Sequence, residues 1–164
     1  MSVKFQFCGV DMKSFFAYEM KYVGKEPIID EVQITQFCEK YYSQYERIYN
    51  SCFYEMRKAL DVKPYNFYSD IEQIRDRMSN IFMLIHNETI IGSVGCYGAE
   101  IDDLIVNKQF QNRGYGRTLL LWAIHHIRTH TDEPITIHVA EWNQNAIRLY
   151  KENGFVVTIK EKVN

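Results

Sequence analysis

The 164-residue sequence predicts an α/β (α+β) fold, a sheet flanked by helices, and three stretches carry that prediction. Residues 81–86 and 89–97 are strand-like runs joined by the tight polar turn Asn87-Glu88, and a third strand, 99–106, follows Gly98; together they form an antiparallel meander. That third strand gives way to Gln111-Asn112-Arg113-Gly114-Tyr115-Gly116, and then to Leu119, Leu120, Ala123, Ile124 and Ile127 at helical spacing. Upstream, Ile34, Cys38, Tyr41, Tyr45, Ile48, Cys52, Met56 and Ala59 trace an apolar stripe at intervals of three and four.

In chain order, residues 3–8 alternate and read as a first strand. Residues 11–23, with Met12, Phe15, Phe16, Tyr18 and Met20, predict a short helix that stops at Gly24. Asp30 is placed to cap the striped segment with Gln33 in reciprocal position, giving one long helix or two with a break near Asn50-Ser51. Residues 64–69 are loop, and 70–77 a short helix. After the meander, the helix from about Gly116 ends near His130 in His, Arg and His, which suit a helix C-terminus. Pro134 separates it from a strand at 135–140. A helix at 144–152 follows, capped by Asn143 or Gln144 and ended by Gly154, and the strand 155–160 comes last.

Length and an ordinary hydrophobic share of 46% suit one domain over residues 1–164. A formal charge of -2 without clustered Lys or Arg argues against a nucleic-acid partner. Cys8, Cys38, Cys52 and Cys96 are scattered, so neither a metal site nor a disulfide framework is indicated, and reduced thiols point to the cytoplasm. The N-terminus has no signal pattern, and no apolar run approaches a membrane span. Twelve tyrosines suit a semi-polar cavity or an interface as well as half-buried helix faces.

The glycine turn carries the chemistry. Gly114 and Gly116 leave no Cβ to block close approach, so successive backbone N–H groups converge at the positive end of the following helix. Such a turn suits an anion, above all a phosphate. No Gly-Lys-Ser/Thr ending makes it a nucleotide P-loop, and its glycine spacing is not the dinucleotide fingerprint.

Leu104 and Val106 precede the loop Gln111-x-x-Gly114-x-Gly116, and Leu119 to Leu121 begin the helix. Downstream come Val139, Asn143, Ala146, Leu149-Tyr150 and Gly154-Phe155, in the pattern Val-(x)3-Asn-x-x-Ala-x-x-Leu-Tyr-(x)3-Gly-Phe. With these motifs in this order the second half resembles the GNAT family of N-acetyltransferases, which move an acetyl group from acetyl-coenzyme A (acetyl-CoA) to an amine. The resemblance covers residues 81–159, the cofactor-binding core, and leaves 1–75 as the acceptor side. It implies a mixed, mostly antiparallel sheet in which a central parallel pair, 99–106 and 135–140, splays apart, with the 116–130 helix as a right-handed crossover.

The resemblance also assigns roles. The amides around Asn112, Gly114, Tyr115, Gly116 and Arg117 hold the coenzyme A pyrophosphate, Gln111 supports the loop, and Arg113 adds charge. The backbone of the 104–106 segment, Leu104, Ile105 and Val106, receives pantetheine like an added strand, through Leu104 and Val106. Asn143 contacts the pantetheine arm. Tyr150 is the general acid for the departing thiolate. Glu100 is the first choice for the base, in the position of the catalytic glutamate of the family's histone acetyltransferases, and Asp102 is the fallback. Strand alternation puts Glu100 and Asp102 on one face and Asp103 on the other. His138, on the neighbouring strand, is a further candidate to face substrate.

The function expected is direct acetyl transfer to a primary amine of a small molecule or peptide in a ternary complex. The alternative is a non-catalytic acyl-CoA sensor or interaction module. Residues 11–75 carry no family match; Glu31, Glu39, Glu46 and Asp70 with the tyrosines suit a cationic or aromatic amine. The apolar last strand offers an edge for a homodimer.

Overall fold

A computed structural model describes residues 14–164, so the expected strand at 3–8 lies outside the described residues. One sheet of seven strands runs in the order β2-β3-β4-β5-β6-β1-β7. Its strands are β1 (Phe15–Tyr22), β2 (Ile34–Gln36), β3 (Ile81–His86), β4 (Thr89–Tyr97), β5 (Glu100–Val106), β6 (Thr136–Ala140) and β7 (Phe155–Val163). The helices are α1 (Tyr42–Ala59), α2 (Tyr115–Arg128) and α3 (Gln144–Glu152).

The meander forms as its sequence dictates. Asn87 and Glu88 both take positive φ, 47° and 60°, the geometry a two-residue hairpin needs to match the twist of its strands. β3, β4 and β5 then pair antiparallel. The single parallel pairing joins β5 to β6, at Glu100 with Thr136 and Ile101 with Ile137, and goes no further. Beyond Ile101 the two strands part.

Two elements differ from expectation. Residues 15–22 form β1, not a helix, wedged antiparallel between β6 and β7. Apolar side chains on both faces of this strand blur its alternation: Phe15 and Ala17 pack with Val62 and Ala140, while Met20 enters the core under α2. Residues 30–38 are not the first turns of a helix either, and Asp30 caps none; a 3-10 turn over Glu39–Tyr41 leads into α1. Ile34 and Gln36 pair with Leu84 and Phe82 at the sheet edge instead, and α1 starts at Tyr42 and continues unbroken past Asn50. Ile28, Ile29, Asp30 and Val32 line a small cavity together with Arg117, Thr118, Leu121 and Trp122 of α2.

The short helix after Asp70 is present as a longer 3-10 segment, Ile71–Asn80, opened by a capping box in which Asp70 accepts from Glu72 N–H and Gln73 reaches back to the Asp70 N–H.

One face of the sheet packs on α2 and α3 through Ile101, Ile137, Val139, Leu119, Leu120, Ile124 and Tyr150. The opposite face packs on α1 through Tyr45, Tyr49, Ile105 and Ile90. Ile101 and Ile105 have the same parity along β5 yet serve opposite cores. The cause is a bulge: Ser93 pairs with Ile105 and Gly95 with Asp102, so one extra β5 residue sits between, and Asp103 takes a φ of 48°.

Gly92 fixes how closely α2 approaches. A Cβ there lies 2.6 Å from the Ile105 carbonyl oxygen and 2.7 Å from Leu119 Cδ1. Backbone cannot yield as a side-chain tip does, so Gly92→Ala is expected to cost about 2 kcal/mol by overpacking. Thermal unfolding reads this as a midpoint lower by about 4–8 °C.

Candidate active site

The glycine turn closes against the end of β5. Gln111 Nε2 donates to the Val106 carbonyl at 3.0 Å, tying the loop to the strand. Asn112 and Gly114 are left-handed, with φ of 59° and 87°, and this turns the chain sharply into α2. No backbone N–H from Gln111 to Arg117 makes a hydrogen bond with a described residue, and the first intrahelical bond is Thr118 N–H to the Gly114 carbonyl. These free donors crowd the positive end of α2. A side chain at Gly116 would enter the space between Leu149 and Val106, 3.4 and 3.8 Å from its Cβ. Arg113 lies over the Phe110 ring, next to which Tyr115 also packs. The Arg117 side chain is held by Asn153 at 3.0 Å, which leaves its backbone N–H as the available donor.

The open edge of β5 begins where β6 departs. Asn107 N–H bonds Ile91 on β4, so alternation turns the polar groups of Ile105 to β4 as well and leaves those of Leu104 and Val106 facing the opening. Ile105 therefore contributes a buried side chain, not an edge donor. The Val106 carbonyl is already taken by Gln111 and by the Cys52 thiol at 3.3 Å, so its N–H is the group left free. Across the opening, Asn143 caps α3 by accepting the Ala146 N–H at 3.1 Å through its carbonyl oxygen, while its amide nitrogen makes no bond to a described residue.

Tyr150 sits in the last turn of α3, 6% exposed, against Phe155. Burial first, and then the Asp102 and Asp103 carboxylates, hold its phenol well above the usual tyrosine range, so it keeps its proton. Its hydroxyl makes no hydrogen bond with a described residue.

Carboxylates gather on the α1 side. The bulge overturns the expected division of Asp102 and Asp103 between two faces, because the extra residue breaks the period of two; both carboxylates meet Arg77, at 3.3 and 3.0 Å. Arg77 reaches them from the 3-10 segment before β3, and also bonds the Tyr97 and Tyr68 hydroxyls at 3.0 and 3.4 Å. Tyr49 donates to Asp103 at 3.0 Å. Burial and then the adjacent Asp103 charge push the Asp102 carboxyl up to about 7, with Arg77 opposing. Glu100 lies next to Asp102 on the same face, and its Oε1 is 3.1 Å from His138 Nδ1.

Arg77, Tyr68 and Glu19 were not among the residues expected from the sequence. Each comes from a distant segment without a family motif, so no local spacing announces it. Among the described residues no group of three or more His, Cys, Asp or Glu is arranged to hold a metal ion, and no helix is long and apolar enough to cross a membrane.

Sheet order, a single parallel pair that parts, and a glycine turn at the mouth of the crossover helix define the acetyltransferase class of fold. The chain belongs to the Acetyltransferase (GNAT) family, whose model matches residues 41–155. Solved structures agree on the fold. A GNAT-family protein from Novosphingobium aromaticivorans is 16% identical, with a TM-score of 0.65 over 93% of this chain and 64% of its own. An acetyltransferase from the GNAT family from Colwellia psychrerythraea is 10% identical, with a TM-score of 0.70 over 93% of this chain and 56% of its own. A Pyrococcus horikoshii protein is 20% identical, with a TM-score of 0.59 over 82% of this chain and 99% of its own. The chain thus spans between half and two thirds of the first two.

Proposed function

We propose that the protein transfers an acetyl group from acetyl-CoA to a primary amine of a small molecule or peptide by direct attack. The observation that carries this reading is the opening between β5 and β6, with unbonded amides at one end and carboxylates on the α1 side. On this reading the amides of Asn112, Gly114, Tyr115, Gly116 and Arg117 receive the pyrophosphate, with Arg113 adding positive charge. Pantetheine lies along Leu104 and Val106 and meets the Asn143 amide nitrogen.

The thioester carbonyl then stands between Tyr150 and Glu100. An ammonium loses a proton to Glu100, the free amine attacks the carbonyl carbon, and the carbon–sulfur bond breaks as Tyr150 protonates the sulfur. Asp102, close by and with a raised pKa, is the alternative acceptor. The carboxylates suit a cationic amine. Residues 1–75 form the acceptor side and 81–159 the cofactor side, and the cytoplasm is the place we assign to the activity.

Titration calorimetry with acetyl-CoA, paired with free-thiol release across a panel of amines, tests the proposal. Binding with thiol release on one amine class supports it. Binding with no release on any amine favours the acyl-CoA sensor, and no binding removes the phosphate role of the loop. Glu100→Gln is expected to lower kcat by about 10²-fold, the low end for an acid–base group because Asp102 stands in, with acetyl-CoA affinity kept. A larger loss in Asp102→Asn moves the base to that residue.

A further inference from the structure

Three neighbouring strands bring three titratable side chains into one line. Glu100 comes from β5, His138 from β6, and Glu19 from β1, where the register sets it opposite His138. His138 Nδ1 lies 3.1 Å from Glu100 Oε1, and Nε2 lies 3.7 Å from Glu19 Oε2. Each ring nitrogen therefore faces its own carboxylate. The imidazole is 14% exposed and Glu100 43% exposed, so the line runs from the open side of the site into the sheet. At its far end Glu19 is fixed by the Thr158 hydroxyl at 3.0 Å and by Lys21 at 3.6 Å, and is 21% exposed.

We propose that His138, held between Glu100 and Glu19, carries the acceptor's proton out of the site. The inference rests on the acetyl-transfer reading with Glu100 as base. Two protons leave the amine nitrogen in each turnover. One replaces the proton that Tyr150 gives to sulfur; the other must reach solvent. Glu100 takes this second proton from the ammonium and passes it to His138 Nδ1, forming an imidazolium between two carboxylates. The Nε2 proton then goes to Glu19 and on to water, and solvent exchange restores the starting tautomer. No oxidant or further reactant is needed.

His138 acts through Glu100 and is thus a positioning and relay residue, not one that touches the reacting atoms. The charged groups acting on its ring among the described residues are Glu100 and Asp102 from β5 and Glu19 from β1, while Lys21 acts on Glu19. The hydrogen bond to Glu100, with the charges of Glu100, Glu19 and Asp102, raises its pKa above the ordinary histidine value despite burial. A proton acceptor with a raised pKa must first lose its own proton, so kcat/KM should rise with pH through that value.

The test follows His138 by NMR titration and kcat/KM by thiol release, in the wild-type protein and in Glu19→Gln. The expected result is an acid limb of kcat/KM that coincides with the imidazole titration. Removing the Glu19 charge should move both down together. His138→Ala should lose activity about tenfold or more, with partial rescue by added imidazole. A purely structural clamp predicts lower thermal stability with no shift of the limb and no rescue. Thiol release whose limb stays fixed while the NMR pKa moves overturns the relay alone. Absence of release on every amine overturns the transfer reading and the relay with it, while the NMR titration still reports the clamp.

Discussion

With Tyr150 as the proposed general acid, Tyr150→Phe is expected to lower kcat by about 10³-fold and to leave the calorimetric Kd for acetyl-CoA within about twofold of the wild-type value. The loss amounts to about 4 kcal/mol of transition-state stabilisation. Its size follows from the position of the phenol. Tyr150 is buried in α3 against Phe155, and its hydroxyl has no hydrogen bond to a described residue to lose, so deleting the oxygen leaves the packing intact. What disappears is the proton. Burial and two nearby carboxylates keep that proton on the phenol, and no second hydroxyl of α3 stands in for it. A parallel tenfold weakening of Kd would instead assign Tyr150 to holding the cofactor. Equal rates in both proteins would remove the acid role.

Arg77→Met is expected to lower stability by about 3 kcal/mol, the lower end for breaking a buried ion pair, because Arg77 and Asp102 keep partial exposure. The unfolding midpoint should fall by about 10 °C. Without the guanidinium, Asp102 and Asp103 face each other with only Tyr49 and the Asp103 backbone N–H as donors among the described residues. The loss should depend on pH in a set direction. A carboxyl whose folded pKa is raised binds its proton more tightly when folded. Its favourable contribution is complete below the unfolded value of about 4 and is lost as pH climbs towards 7. Removing Arg77 raises these carboxyls further, so Arg77→Met should be closer to wild type at pH 5 than at pH 8. Equal losses at both pH values would show that Arg77 acts by packing on Tyr97 alone.

The parts of the fold legible in the sequence are those whose signals are local. Asn143 at the cap of α3 and Gly154 past its end mark that helix at both ends, and its bounds match the expectation. The Asn87-Glu88 turn sets the β3–β4 hairpin in the same way. Residues 15–22 failed because a strand covered on both faces has no single apolar side, and phenylalanines next to each other mimic a helical face as readily. Residues 34–38 depart from the expected helix because an edge strand of three residues is too short to show a period, and the apolar spacing of α1 runs back through it. Within the site, the turn from Gln111 to Gly116 was legible from its glycines. The meeting of Asp102 and Asp103 at Arg77 was not: one inserted residue in β5 reverses every face beyond it, and nothing in Asp-Asp announces a bulge.

β1 has a consequence for the order of assembly. Its partners are the most distant strands in the chain; Thr158 of β7 bonds Glu19 across 139 positions. The strand emerges early during synthesis, yet its place in the sheet exists only once β6 and β7 are made. The meander and α2, built from near neighbours, form without it, so insertion of β1 is expected to be a late, slow step. Until it docks, β6 presents an unpaired apolar edge to any passing strand, and His138 lacks Glu19. Completion of the sheet and completion of the carboxylate–imidazole line are then one event in the life of the chain.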